Sequence, residues 1–160
     1  MNAAMAQGVS ADRLVFAPRL PIAEHLARHV HADLFLDTLP YNAHTTASDA
    51  LWAGLPVLTC MNASFASRVA ASLLNAINLP ELITANPQEY ESLAIALAND
   101  SARLQQLMAK LAAQRISAPL FNTPLFAQQI EVAYEQMMER YWDDLPIDHI
   151  LFQSPAKILD

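Results

Sequence analysis

The densest run of polar chemistry in the sequence is Asp37-Thr38-Leu39-Pro40-Tyr41-Asn42-Ala43-His44-Thr45-Thr46-Ala47-Ser48-Asp49. Asn42, His44, Thr45 and Thr46 lead directly into a segment of helical character, and the first turn of a helix leaves backbone N–H groups without intrahelical partners. With the helix dipole behind them, such groups make a ready site for an anion. Two adjacent threonine hydroxyls and an imidazole add side-chain donors at the same place, so a diphosphate is the natural guest. Asp49 lies four residues past Thr45, one turn further along the same face. A carboxylate there would repel phosphate but could accept hydrogen bonds from sugar hydroxyls. The plainer alternative is that Asn42 or Thr45 caps the helix while Asp49 complements its dipole.

A second loop, Arg19-Leu20-Pro21-Ile22-Ala23-Glu24-His25, precedes another helical segment. His25 and His29 form an i,i+4 pair that could ligate a metal, but the run His-Leu-Ala-Arg-His lacks the glutamate of the zinc-protease motif and no third ligand lies near. No metal site is expected. His25 could stack on a nucleobase or be solvated, and Arg28 could reach a phosphate or an acidic neighbour such as Asp33. Cys60 reads as an inert core thiol. Tyr134, Met137, Met138, Tyr141 and Trp142 read as a packing stripe. Gly8 and Gly54 are the only glycines. Neither a Gly-x-Gly-x-x-Gly turn nor a P-loop can therefore be formed, which discourages dinucleotide oxidoreductase and ATPase readings.

Composition narrows the class further. With 160 residues, 54% of them hydrophobic, the chain can bury the core of one domain, and its net charge of −7 argues against nucleic-acid or anionic-membrane surfaces. The most apolar stretch, 50–61, holds Gly54 and Pro56 and falls well short of the roughly twenty residues that cross a bilayer. A single cysteine cannot make an internal disulfide, and the amino terminus lacks the basic and apolar regions of a secretory signal. A cytoplasmic location is expected.

The elements that must carry these loops alternate. Strands are expected at 14–17, 33–37, 56–60 and 82–84, and helices over 23–31, 45–53, 65–77, 87–98 and 101–115, with a last long helix after a loop over 117–124 and running to about 142. Leu26 and Val30 should share a helix face. Gly54 and Pro56 should end the helix that starts at Thr45. The strand at 33–37 is apolar on both faces, as a parallel sheet covered on both sides requires. Strand–helix repetition followed by consecutive helices predicts an α/β fold with an open parallel sheet, in which ligands sit beyond the carboxyl ends of the strands.

The run His44-Thr45-Thr46-Ala47-Ser48-Asp49-Ala50-Leu51-Trp52-Ala53-Gly54-Leu55-Pro56-Val57-Leu58-Thr59 resembles the donor-binding segment of the O-linked N-acetylglucosamine transferases and their SPINDLY-like bacterial relatives. The resemblance continues in Ala66-Ser67-Arg68-Val69-Ala70-Ala71-Ser72-Leu73-Leu74, in Leu79-Pro80-Glu81-Leu82-Ile83 and in Gln114-Arg115-Ile116-Ser117-Ala118-Pro119-Leu120-Phe121-Asn122-Thr123, and covers roughly residues 8–150. It implies the partial, Rossmann-like carboxyl-terminal lobe of a two-lobed GT-B glycosyltransferase, over 8–145, followed by an irregular tail over 146–160.

By position, the resemblance implies that His44, Thr45 and Thr46 hold the diphosphate of a uridine diphosphate sugar without a metal or other cofactor, and that Asp49 engages donor hydroxyls. His25 would face the uracil with Arg28 beside it, and the backbone of Leu20, Pro21 and Ile22 would read the base edge. Ile22 stands where animal members have a lysine, and Asn62 where the family has a glycine. The family's first lobe, its peptide-binding repeats and the donor-touching lysine and glutamine have no counterpart in this chain. No catalytic residue is therefore assigned here. The expectation is a donor-binding segment for transfer of N-acetylglucosamine to serine or threonine of proteins, inactive alone, either as a truncated reading frame or as one piece of a split enzyme whose companion chain supplies the other lobe. Two alternatives stand beside it: a non-catalytic remnant or partner-binding module, and a guanosine diphosphate fucose donor.

Overall fold

The most apolar runs assemble the sheet. The computed structural model describes residues 1–151, and in it three strands pair in the order β1 (Phe35–Leu36), β2 (Val57–Cys60) and β3 (Ile83–Thr84). Every residue of β2 is buried, as a central strand covered on both faces requires. Both pairings are parallel, with Leu36 opposite Leu58 on one side and Cys60 opposite Thr84 on the other. The ladder continues past the strand ends: Asp37 N–H donates to Leu58 O at 3.0 Å and Met61 N–H to Thr84 O at 2.9 Å.

Parallel strands cannot be joined by a hairpin, so helices make the crossovers. Before the sheet lie α1 (Asn2–Ala6) and α2 (Ile22–Ala27). The crossovers are α3 (Thr45–Ala53), between β1 and β2, and α4 (Phe65–Ala76), between β2 and β3. After the sheet come α5 (Pro87–Ala98), α6 (Ser101–Ser117) and α7 (Thr123–Trp142). The core is built where these faces meet: Ala47, Ala50 and Leu51 of α3, Val57 of β2, Ala70 and Leu74 of α4, Leu97 of α5, and Leu107 and Leu111 of α6.

Gly54 ends α3 with a φ of 91°, a left-handed conformation that residues with a Cβ adopt only at a cost. Leu55 N–H returns to Ala50 O at 2.8 Å, satisfying a carbonyl the helix leaves open. Arg115 reinforces that end by donating from Nη1 to Trp52 O at 2.8 Å while lying over the Trp52 ring. The open parallel α/β class, the helices at 45–53 and 87–98 and the buried strand before Cys60 are as the sequence leads one to expect.

Three expectations are corrected. Residues 14–17 form no strand: Val15 is 88% and Phe16 73% exposed, and a strand exists only where a neighbour completes its ladder. The helix expected over 23–31 tightens at Arg28 into a 3-10 turn, Arg28–His31, so Leu26 and Val30 lose their common face and Val30 is exposed. The expected packing stripe of Tyr134, Met137, Met138, Tyr141 and Trp142 is exposed, because the core closes at Ala118 and Phe121 before α7 begins, and α7 buries no residue. Of the irregular tail expected over 146–160, residues 146–151 carry no regular structure and 152–160 lie outside the described residues.

Leu51 is fully buried between α3 and the sheet, so Leu51→Ala is expected to cost about 3 kcal/mol of unfolding free energy in urea denaturation. A Cβ at Gly54 would meet nothing nearer than Arg115 Nη1 at 3.9 Å, so Gly54→Ala tests backbone conformation alone and should cost roughly 1–2 kcal/mol.

Candidate functional site

Because all three strands are parallel, their carboxyl ends open on one rim, and the loops that follow β1 and β2 share it. The loop after β1 is held from beneath by buried polar groups. Asp37 is 1% exposed and its carboxylate accepts three hydrogen bonds: from Asn42 Nδ2 at 2.8 Å, from Thr59 Oγ1 at 2.7 Å and from the Ala43 N–H at 2.6 Å. Asn42 Nδ2 also reaches Thr59 Oγ1 at 3.1 Å and Cys60 O at 3.3 Å. Tyr90 lies close by, and its phenol is pushed above its ordinary pKa first by burial and then by the neighbouring Asp37 and Cys60.

The loop so anchored delivers the chain to α3. Four other helices begin with a side-chain cap: Ser64, Asn86, Asp100 and Asn122 each accept from a backbone N–H of the first turn. At the start of α3, His44 makes no such bond, and neither Asn42 nor Thr45 caps the helix as the plainer reading supposed. Asn42 is committed to the buried cluster instead. Thr45 and Thr46 are exposed in the uncapped first turn. His44 stacks on Tyr41 with ring centroids 5.5 Å apart and meets Phe65 edge-on at 5.9 Å.

Two open clefts meet at this point. One, of about 880 Å³, is lined by Leu20, Pro21, Ile22, His25, Arg28 and Arg19, with Thr46 and Asp49 on its α3 side. The other, of about 490 Å³, is lined by His44, Thr45 and Thr46 with Tyr41, Asn42 and Asp37. Thr46 belongs to both. All nine residues singled out by sequence thus border two clefts joined at a single side chain. Within the second cleft, His44 Nε2 and Asn42 Oδ1 are buried and have no hydrogen-bond partner among the described residues. Buried polar atoms left unpaired are uncommon and commonly mark a place where a ligand or water completes the bonding.

Individual placements refine the roles open to each residue. His25 Nε2 sits 3.7 Å from Asp49 Oδ2, which joins α2 to α3 across the first cleft. His29 turns back on its own helix, Nδ1 lying 2.9 Å from His25 O, and meets the His25 ring edge-on. Among the described residues no group of three His, Cys, Asp or Glu is arranged to hold a metal ion. Arg28 donates from Nη1 to Pro18 O at 2.8 Å, so it pins the 17–22 loop where a pairing with Asp33 had been considered. Arg19, Tyr41 and Asp37 border the clefts but were not singled out in the sequence. Asp37 carried one signal, an acid ending an apolar strand, yet its partners Thr59 and Asn42 become visible only once β1 pairs with β2.

Comparison with known proteins bears on the family. The model of glycosyl transferase family 41 matches residues 1–130. A UDP-N-acetylglucosamine–peptide N-acetylglucosaminyltransferase of Caenorhabditis elegans is 40% identical over 90% of this chain and 12% of its own length. The probable enzyme of that name called SEC in Arabidopsis thaliana is 41% identical over 84% of the chain and 14% of its own length. The SPINDLY protein of Petunia hybrida is 33% identical over 87% of the chain and 15% of its own length. A mutant O-GlcNAc transferase from Thermobaculum terrenum superposes with a TM-score of 0.79 at 34% identity, over 85% of this chain and 26% of that one. The chain therefore spans about an eighth of the length of these curated relatives. A parallel α/β sheet, an uncapped helix start at its carboxyl rim and these likenesses together place the chain in glycosyl transferase family 41.

Proposed function

We propose that this chain is the donor-binding segment of a protein N-acetylglucosaminyltransferase and holds a uridine diphosphate sugar across the two joined clefts. The observation that carries the reading is Thr46, the one predicted residue that borders both clefts, at the uncapped start of α3. The uridine lies in the larger cleft, with His25 against the base, the backbone of Leu20, Pro21 and Ile22 along its edge and Arg28 bracing the loop through Pro18. The diphosphate lies over the first turn of α3, where the amides and hydroxyls of Thr45 and Thr46 and the unpartnered His44 Nε2 supply donors. Asp49, beside His25, accepts from donor hydroxyls; that placement favours those nearest the base.

In such a transfer negative charge grows on the departing diphosphate as the sugar leaves. Donors already aimed at that position stabilise the charge without reorganising at the moment of reaction. The helix dipole acts in the same sense and needs no metal to do so. This is the share of the chemistry assigned to this segment. The chain contributes no base and no acceptor site in this reading, so both come from the parts of the longer relatives that it does not span, within one polypeptide or from a companion chain.

Calorimetric titration of uridine diphosphate and guanosine diphosphate into the folded chain tests the reading. Saturable binding of the uridine nucleotide is expected, at least about tenfold tighter than the guanosine nucleotide, which corresponds to about 1.4 kcal/mol. Preference for guanosine would support the fucose donor. No binding by a folded chain would overturn the donor-site reading and favour a non-catalytic remnant. Variants separate the two clefts. His25→Ala should weaken uridine and uridine diphosphate alike, by about tenfold, whereas Thr45→Ala/Thr46→Ala should weaken only the diphosphate by a similar factor.

A further inference from the structure

The start of α3 owes its direction to a group outside the predicted site. Asp37 is fixed twice over: its N–H extends the β1–β2 ladder to Leu58 O, and its carboxylate is enclosed at 1% exposure. One carboxylate oxygen accepts the Ala43 N–H, and the other accepts Asn42 Nδ2 and Thr59 Oγ1. Thr59 lies on the central strand and is itself fully buried. The anchored atoms therefore run without a gap from the sheet, through Thr59 and Asp37, to the backbone amide two residues before Thr45.

We infer that Asp37 is the positioning residue of this site: its buried carboxylate clamps the 38–44 loop to β2 so that the first-turn amides of α3 already point at the diphosphate. The inference rests on the donor-site reading and adds to it. A buried carboxylate is costly unless its hydrogen bonds are complete, and here they are drawn from three separate points of the rim. A hydrophobic residue of the same size at 37 would fill the space but leave Ala43 N–H and Thr59 Oγ1 without their acceptor and take from Asn42 Nδ2 the shortest of its three bonds. Asn42 is the second member of the clamp, its amide nitrogen committed to Asp37 and β2 and its Oδ1 buried beneath the second cleft without a partner among the described residues.

The test is a swap. In Asp37→Asn the amide nitrogen replaces an acceptor and opposes a donor, whereas in Asp37→Asn/Asn42→Asp the bond between the two side chains is restored with its direction reversed. Asp37→Asn is expected to lose uridine diphosphate affinity about tenfold with uridine affinity unchanged, and the double variant to recover part of the loss, since a carboxylate at 42 can no longer donate to Cys60 O. Amide hydrogen exchange supplies a readout independent of ligand. Protection at Ala43, whose N–H donates to Asp37, should fall in Asp37→Asn and rise again in the double variant, while Leu58 and Leu74 stay protected. Thr59→Val, which removes one of the three bonds and keeps the shape, gives a milder loss and serves if Asp37→Asn does not fold.

Unchanged exchange at Ala43, or equal loss of uridine and uridine diphosphate, would overturn the positioning role. A wild-type chain that binds neither ligand would overturn the donor-site reading, and the exchange measurement would then decide the clamp by itself.

Discussion

Parallel pairing of β2 with both neighbours is the constraint from which the rest follows. Since β1, β2 and β3 run in one direction, each crossover must return to the opposite end, and every carboxyl end opens on the same rim. The register brings Asp37 level with the end of β2, where Thr59 can donate to it. From that contact the loop path, the start of α3 and the junction of the two clefts are set in turn. The energetic support lies on the far side of α3, where Ala47, Ala50 and Leu51 are fully buried and only small or well-fitted side chains bring the helix onto the sheet. One face of a nine-residue helix is thus given to the core while its first turn is left open to the rim.

Much of this arrangement is written locally and is legible without the fold. Gly54 and Pro56 mark the end of α3, the unbroken apolar run before Cys60 marks the buried strand, and Asn86-Pro87 marks the start of α5. The paired threonines point to the proposed anion site because a helix start and its donors are near in sequence. What is illegible depends on partners distant in sequence. Leu14-Val15-Phe16-Ala17 has the composition of a strand, but a strand is made by its neighbour, and among the described residues none lies alongside. Val30 sits at helical spacing from Leu26, yet the tightening at Arg28 turns it to solvent. Asp37 looks like a boundary residue because Thr59, twenty-two positions on, is what makes it an anchor.

In the proposed function the two clefts divide the labour of holding a nucleotide sugar. The larger is built from a loop and a short helix that Arg28 ties together through Pro18, and the smaller from a helix start braced by a buried carboxylate. Charge is arranged accordingly. Basic and neutral donor groups, Arg19, His25, Arg28 and His44, border the clefts, whereas Asp37 turns its lone pairs inward and Asp49 faces His25. In an acidic protein of net charge −7, that local sorting is what the proposed anion site requires.

The most direct test of the account is to follow backbone amide shifts of the isotopically labelled chain as uridine diphosphate is added. The account predicts the largest changes at Thr45 and Thr46, with a second group at Ile22 and His25, and little change on α5 to α7. Shifts confined to surfaces away from the joined clefts, or none at Thr45 and Thr46 at saturation, would contradict it.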